Sequence, residues 1–321
     1  MTTVLDEVVA ASQTHRRELL TYCYRMTGSL HDAEDLVQEV SLRAWRAADN
    51  YDPGRASLRT WLYRIATNAC LTALEKAERR ALPVDLSQPS DVLDVKRLQP
   101  TAELPWLEPC PDAWLDGSDP AAIVETRDNI RLAFIVALQH LPPQQRAVLI
   151  LRDVLALRAQ EVADLLEATV AAVNSALQRA RAALAERTAT EDTPAEPTDT
   201  EQRSLLDRYV TAFETMDVDA LKRILRDDAL LQMPPYLAWY SGSEAIGTFM
   251  ATVFDHGGPF FFLPTRANNC PALGCYRRRD DGRLHAVNLH VLTPTLEGIA
   301  RMDIFHTPTL FRTFGLPEIR W

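Results

Sequence analysis

Residues Leu141–Arg187 read LPPQQRAVLILRDVLALRAQEVADLLEATVAAVNSALQRARAALAER. Two short amphipathic helices meet across a few residues, and the second ends in polar and basic groups. The spacing predicts a bracing helix over Glu161–Leu166, a turn at Glu167–Thr169 and a reading helix over Val170–Arg187. In a helix-turn-helix, one helix braces a second whose first residues face base edges in the major groove. Ala163, Leu166, Val173 and Leu177 are the expected inward positions. Asn174, Ser175, Gln178, Arg179 and Arg181 are the expected outward ones. Asn and Gln pair with adenine edges, and Arg with guanine or phosphate. The same pattern also describes an ordinary surface helix with a solvated face.

The chain has 321 residues, enough for two or three domains, and a net charge of −10. An acidic chain is a poor free-standing DNA binder, because phosphate neutralisation supplies most non-specific affinity. Either the helix-turn-helix reading fails or another protein delivers the chain to DNA. Basic residues are dense at 55–64, 76–80 and 179–187, and acids gather at 85–125 and 186–230. No apolar run reaches the ~18 residues of a membrane span, and the first residues lack a basic secretory leader. A cytoplasmic location is expected. The five cysteines are scattered. Cys270 and Cys275 have no second Cys/His pair nearby, so neither zinc nor any other metal or cofactor is called for.

The block 10–80 reads as helical. Gly28 ends one helix, and Ser29 to Asp32 starts the next. Ala33, Leu36, Val37, Val40, Ala44 and Trp45 form its expected buried stripe. Asp52-Pro53-Gly54 breaks the chain, and Ser57 caps a helix with Leu58, Trp61, Leu62, Ile65, Ala69 and Leu71 inward. Residues 81–119 hold six prolines, many acids, Trp106 and Trp114, and read as an extended linker without a core of its own. Tryptophans there are expected to dock. Asp119-Pro120 opens a further helical block, 120–187. A second acidic linker, 188–202, precedes an α+β block over 203–321. In that block, helices at about 203–216 and 218–226 lead into a strand at Ala229–Met233 and a helix capped at Ser243. An antiparallel meander follows over 260–305, turning at Asp281-Gly282.

The segments TYCYRMTGSLHDAEDLVQEVSLRAWRA, SLRTWLYRIATNACLTALE, LPPQQRAVLILRDVLALRAQEVADLL and AVNSALQRARAAL together resemble bacterial RNA polymerase sigma factors of the extracytoplasmic-function type, a group of the sigma-70 family. DAEDLVQEV and RTWLYRIATNAC resemble region 2, and the later segment resembles region 4. The resemblance implies a multi-domain protein with two all-α sigma regions. It implies a transcription initiation factor rather than an enzyme, with core RNA polymerase and promoter DNA as partners. The charge conflict then resolves, since polymerase carries such a factor to DNA. By position, Asp32, Asp35, Gln38 and Glu39 would dock on the β′ clamp helices, and region 4 on the β flap. Without the resemblance these residues read as a solvated acidic face paired with Arg43. Asn50, Arg59, Trp61, Arg64 and Asn68 would meet the −10 element, where an extruded base needs a pocket and basic and aromatic groups. Trp61 serves equally well as core. The −35 element would meet Asn174, Ser175, Gln178, Arg179 and Arg181, the arginines also suiting phosphate contacts. Many relatives carry glycine in the turn; Glu167 there is mildly strained if left-handed. The linker 81–119 would run through the polymerase channel, with ELPWLEPCPD, residues 103–112, docking.

The stretch MPPYLAWYSGSEAI, residues 233–246, resembles SnoaL-like members of the NTF2-like superfamily. Sigma factors with such an extension form a subset, and the WLEP linker points to its SigG-like kind. The resemblance implies a cone-shaped α+β domain regulating the chain in cis. Tyr236, Trp239, Tyr240, His285, His290 and Asp303 are candidates to line a small-molecule cavity, with His290 and Asp303 a candidate acid–base pair. Alternatively, His290 is a satisfied core histidine and Asp303 a surface acid. The free chain is expected to be a monomer, because −10 and −35 elements need no two-fold symmetry.

Overall fold

The structure, a computed structural model, describes residues 4–75, 77–101, 103–115, 131–188, 197–256 and 258–321. The chain divides into two compact units, one of residues 1–80 with 107–192, the other of 81–106 with 193–321. The expected helix start at Asp119-Pro120 and most of the linker 188–202 lie outside the described residues.

In the first unit, α1 (Val4–Thr14), α2 (Arg16–Thr27), α3 (Leu30–Arg46) and α4 (Leu58–Leu74) form the first helical region. Every residue of α2 from Leu19 to Thr27 is buried. Tyr22 is bonded to Thr67 at 2.8 Å and meets Tyr63 edge-on, which ties α2 to α4. Gly28 ends α2 in the left-handed conformation (φ 70°), and its N–H donates to the Tyr24 carbonyl. Ser29 then caps α3 by accepting from the Asp32 N–H, and Ser57 caps α4 by accepting from the Thr60 N–H. The α3 stripe is buried as expected at Ala33, Leu36, Val37, Val40 and Ala44. Trp45 is not in it: the side chain is 54% exposed, one residue round the helix from Ala44. In α4 the buried residues include Leu62, Tyr63, Ala66, Ala69 and Cys70, while Leu58, Trp61, Ile65 and Leu71 are only half-buried.

Residues 107–115 belong to this unit rather than to a free linker. Leu107, Cys110 and Leu115 are buried. The Glu108 carboxylate accepts from the Leu30 N–H at 2.7 Å and the Ser29 hydroxyl at 3.0 Å, so a linker residue completes the α3 cap.

The second helical region comprises α5 (Leu132–Gln139), α6 (Pro143–Leu149), α7 (Ala159–Leu165) and α8 (Val170–Thr188), with a π turn at Ile150–Val154 after α6. Ala163, Val173 and Leu177 are buried as expected. In the bracing helix Val162 and Leu165 join Ala163, whereas Leu166 is only half-buried, because α7 ends at Leu165. Glu167 in the turn adopts φ 53°, the left-handed conformation anticipated for it.

The second unit has the α+β layering expected. Helices α9 (Asp199–Glu214), α10 (Val218–Lys222) and α11 (Ser243–Asp255) pack on a sheet of β1 (Leu225–Gln232), β2 (Trp239–Ser241), β3 (Phe260–Ala267), β4 (Cys270–Arg278), β5 (Leu284–Thr295) and β6 (Gly298–Phe305), and β7 (Ile319–Arg320) pairs with β5. The order is β2-β1-β6-β5-β4-β3. The run β3–β6 is the expected antiparallel meander, but β1 lies parallel to β6. The cap of α11 is Gly242 at φ 90°, not Ser243. Phe213, Phe249, Tyr240, Leu273, Leu292 and Met302 are among the residues of the inner core. On the outer face α12 (Leu310–Thr313) places Phe311 against Tyr276. Gly274 leaves room there for Leu316, whose tip would lie 2.6 Å from a Cβ.

His290 is buried inside this core, with Nδ1 accepting from the Tyr209 hydroxyl at 2.7 Å and Nε2–H donating to Asn288 Oδ1 at 2.8 Å. Burial holds its pKa down at about 3. The unfolded chain therefore takes this proton near pH 6.5 and the folded one only near pH 3. Stability is full above pH 6.5 and falls on acidification. At pH 5 this one group costs about 2 kcal/mol relative to pH 7. The His290 ring resonances are expected not to titrate above pH 4, and the urea midpoint of the second unit to drop between pH 7 and pH 5; a ring titrating near 6.5 would contradict both.

Candidate nucleic-acid interface

Along α3 the exposed residues are His31, Asp35, Gln38, Leu42 and Trp45. Their spacing of 4, 3, 4 and 3 draws a single seam, the geometry by which a helix meets a coiled-coil partner. Of the four candidate docking residues, Asp35 and Gln38 lie on this seam. Asp32 is turned to Arg80 at 2.7 Å, and Glu39 to Arg43 at 2.7 Å. These are half-exposed pairs, weak enough in water to exchange for an intermolecular partner. Leu42 and Trp45 were missed as surface residues; the 4-3 spacing was the available signal. Two large apolar groups left in water beside acids mark a contact face rather than a solvated one.

The candidate −10 residues divide. Trp61, Arg64 and Asn68 share one face of α4, spaced by three and four residues. Arg59 is turned away: its Nε donates to Glu18 at 2.7 Å, and its guanidinium lies 5.2 Å over the Tyr63 ring. Asn50 stands exposed at the end of a short 3₁₀ turn, Ala48–Asn50. Tyr51, not anticipated, lies 5.4 Å from the Trp61 ring and donates its hydroxyl to the Ala56 carbonyl at 3.0 Å. Trp61 is half-buried. This pair supplies aromatic faces at the mouth of the 51–57 loop.

All five candidate −35 residues are exposed on α8. Arg179 donates to Ser175 Oγ at 2.7 Å. Arg181 forms a two-pronged bond to Asp153, at 2.7 and 2.8 Å, which holds its pKa above the ordinary value. Asn174 and Gln178 sit one turn apart on the outward face, able to reach base edges together.

The six candidate cavity residues of the second unit do not converge. His290 lies opposite Ile304 on the inner face, and Asp303 opposite Val291 on the other. They form no acid–base pair. Asp303 instead accepts from Gln232 Nε2 and from Arg301 Nε. His285 bonds Asp281 at 2.8 Å. Tyr236, Trp239 and Tyr240 serve the loop 81–106, which is ordered on this unit. Ala81 and Trp106 close its base. The Ser90 N–H donates to the Trp239 carbonyl at 2.8 Å, on the edge strand β2, while Trp239 Nε1 donates to the Ser87 carbonyl at 3.0 Å. The Tyr240 hydroxyl donates to the Val92 carbonyl and Thr252 Oγ1 to the Leu93 carbonyl. Val95 and Leu98 pack on the inner core, and Thr101 N–H reaches the Pro235 carbonyl at 2.8 Å near Tyr236. The expected extended linker is thus a clasp around one sheet edge.

A docking helix followed by a helix-turn-helix in this order defines a sigma-70-type transcription initiation factor. Residues 12–80 match the family model for sigma-70 region 2, and residues 131–184 that for sigma-70 region 4. The chain belongs to the ECF RNA polymerase sigma factors: it is 47% identical over 312 residues to the ECF RNA polymerase sigma factor SigG of Mycobacterium tuberculosis, covering 96% of this chain and 84% of the relative. It is 28% identical to the ECF RNA polymerase sigma factor SigW of Bacillus subtilis, over 53% of this chain and 82% of that one. The crystal structure of the Mycobacterium tuberculosis extracytoplasmic function sigma factor SigJ shares the fold, with a TM-score of 0.63 at 24% identity over 95% of this chain and 98% of that one. Among the described residues no helix is long and apolar enough to cross a membrane.

Removing the Tyr240 hydroxyl loosens the clasp by one hydrogen bond, about 1 kcal/mol. Tyr240→Phe is expected to speed amide exchange at Ser90 and its neighbours roughly fivefold. Unchanged exchange there would mean that this bond does not hold the loop.

Proposed function

We propose that the exposed seam of α3 is the surface by which this sigma factor docks on core polymerase, with Asp35, Gln38, Leu42 and Trp45 meeting the β′ clamp helices. The observation that carries this reading is the 4-3 stripe that joins acids to two large apolar groups in water. Asp32 and Glu39 join after exchanging their pairs with Arg80 and Arg43. Region 4 contacts the β flap and reads the −35 element through Asn174, Ser175 and Gln178, with Arg179 and Arg181 on phosphates. Trp61, Arg64, Asn68 and Asn50, joined by Tyr51, hold the opened −10 strand.

The chain is an initiation factor acting as a monomer in the cytoplasm, without chemistry of its own. The C-terminal unit acts in cis. What supports this is the clasp: the 81–106 segment between regions 2 and 4, which would thread the polymerase channel, is held on the C-terminal sheet edge. A small-molecule ligand draws no support from the six cavity candidates, whose polar groups bond within the protein.

In vitro transcription with core polymerase on a genomic promoter library is expected to give specific starts. A chain ending at Arg187 is expected to give altered yields. Asp35→Lys is expected to weaken core binding at least tenfold, about 1.4 kcal/mol, without changing the helical content. Absent transcripts from both chains would send the reading back to a stand-alone DNA binder, and equal yields would remove the cis role.

A further inference from the structure

Regions 2 and 4 belong to one compact unit, and their contact is specific. It centres on the C-terminal end of α2, where orphan carbonyls give the helix end a partial negative charge. Gln139 of α5 donates its Nε2–H to the Arg25 carbonyl at 3.2 Å. Arg146 of α6, only 4% exposed, donates to the Met26 carbonyl. The same guanidinium is held by Gln139 Oε1 at 2.6 Å, the Gln139 carbonyl at 3.0 Å and the Leu141 carbonyl at 3.1 Å. Gly28 lets Gln139 approach: a Cβ there would lie 3.2 Å from its side chain. On the far side of the contact, Arg64 of α4 bonds Glu167 in the helix-turn-helix turn.

Arg64 is on the face assigned above to the −10 strand, and Glu167 is three residues from the −35 reading helix. The two promoter elements, as their names state, lie roughly 25 base pairs apart, about 85 Å along B-form DNA. Groups in hydrogen-bond contact cannot serve both. We propose that the free chain is held in a promoter-incompetent closed form by an intramolecular latch, in which Gln139 and Arg146 grip the α2 C-terminus and Glu167 occupies Arg64 in the place of DNA phosphate.

This latch lies within the sigma regions and does not require the C-terminal unit. It is built to open. Three of the four acceptors around Arg146 come from region 4 itself, so separating the regions costs the guanidinium one carbonyl. Glu167 and Arg64 are both exposed, with side chains 73% and 45% accessible. A phosphate can replace the carboxylate without desolvating a buried charge. The inference rests on the −10 assignment for its function, while the closed geometry stands apart from it.

The test uses the full chain with spin labels at Thr72→Cys and Ala171→Cys, both exposed, the five native thiols being buried. Arg64 and Glu167 lie within two helical turns of these sites, so the closed form predicts an electron-resonance distance under about 35 Å. Glu167→Lys, a surface change that repels Arg64, and Gln139→Ala are each expected to add a long-distance population, raised at least tenfold in the double variant. With core polymerase and promoter DNA, the wild type is expected to move wholly beyond about 60 Å. A free wild type already long, variants that keep the short distance, or a short distance retained in a transcribing complex would each overturn the latch. Transcription that fails in wild type and variants alike would instead undo the polymerase reading, with the free-chain distances still deciding the latch.

Discussion

The corner between α2 and α3 bears on everything else in the first unit. Gly28 turns the chain left-handed, which exposes the last carbonyls of α2 and the first N–H groups of α3 within two residues of each other. Opposite partial charges are thus presented side by side. The carbonyls of Arg25 and Met26 take Gln139 and Arg146 from region 4, and the N–H of Leu30 takes the Glu108 carboxylate from the linker. Arg80 adds a bond to Asp32 in the first turn of α3. One corner therefore organises region 4, the linker and the proposed polymerase-docking helix. A side chain at position 28 would strain the backbone at φ 70° and push Gln139 away at once.

Charge explains why such a corner suits this chain. At −10 overall, the protein gains little from DNA by itself. Its cations near the promoter faces are satisfied internally: Arg59 by Glu18, Arg64 by Glu167, Arg181 by Asp153. Each is partly exposed, so each pair is worth at most about 1 kcal/mol and is screened by salt. Such pairs lower non-specific affinity without blocking exchange for phosphates once polymerase has brought the chain to a promoter.

Much of this was legible from residue order alone. Local signals worked where the physics is local: Gly28, Ser29 and Ser57 cap as read, and all five outward residues of α8 are outward. Trp45 misled because a large apolar residue beside Ala44 looks like core, although its angular position puts it on the seam with Asp35 and Gln38. The linker was read from composition, which cannot form a core of its own. It orders by borrowing one, with Val95 and Leu98 on the C-terminal unit and Leu107, Cys110 and Leu115 on region 2. Tertiary docking of that kind leaves no periodic trace. The polar and aromatic residues around 236–240 were read as a cavity lining because their type fits one; their partners are backbone carbonyls 140 or more positions away. The parallel pairing of β1 with β6 was equally invisible, since it depends on a crossover rather than a turn.

The latch must satisfy two limits at once. If the open form is one part in a hundred, promoter and polymerase affinities fall a hundredfold, about 2.7 kcal/mol. A much stronger latch would silence the factor even with polymerase present; a much weaker one would leave it open. The contacts fall in that range: one charge-assisted bond to a helix end, one neutral amide bond and one exposed ion pair, each about 0.5–2 kcal/mol. Polymerase need not break them one by one. Docking region 2 on one site and region 4 on another separates them together, and the binding free energy of either region alone exceeds the sum. Closure is therefore a tunable reduction in affinity. Glu167 is the position that sets it most directly, because its side chain is exposed and its removal leaves no buried group unpaired.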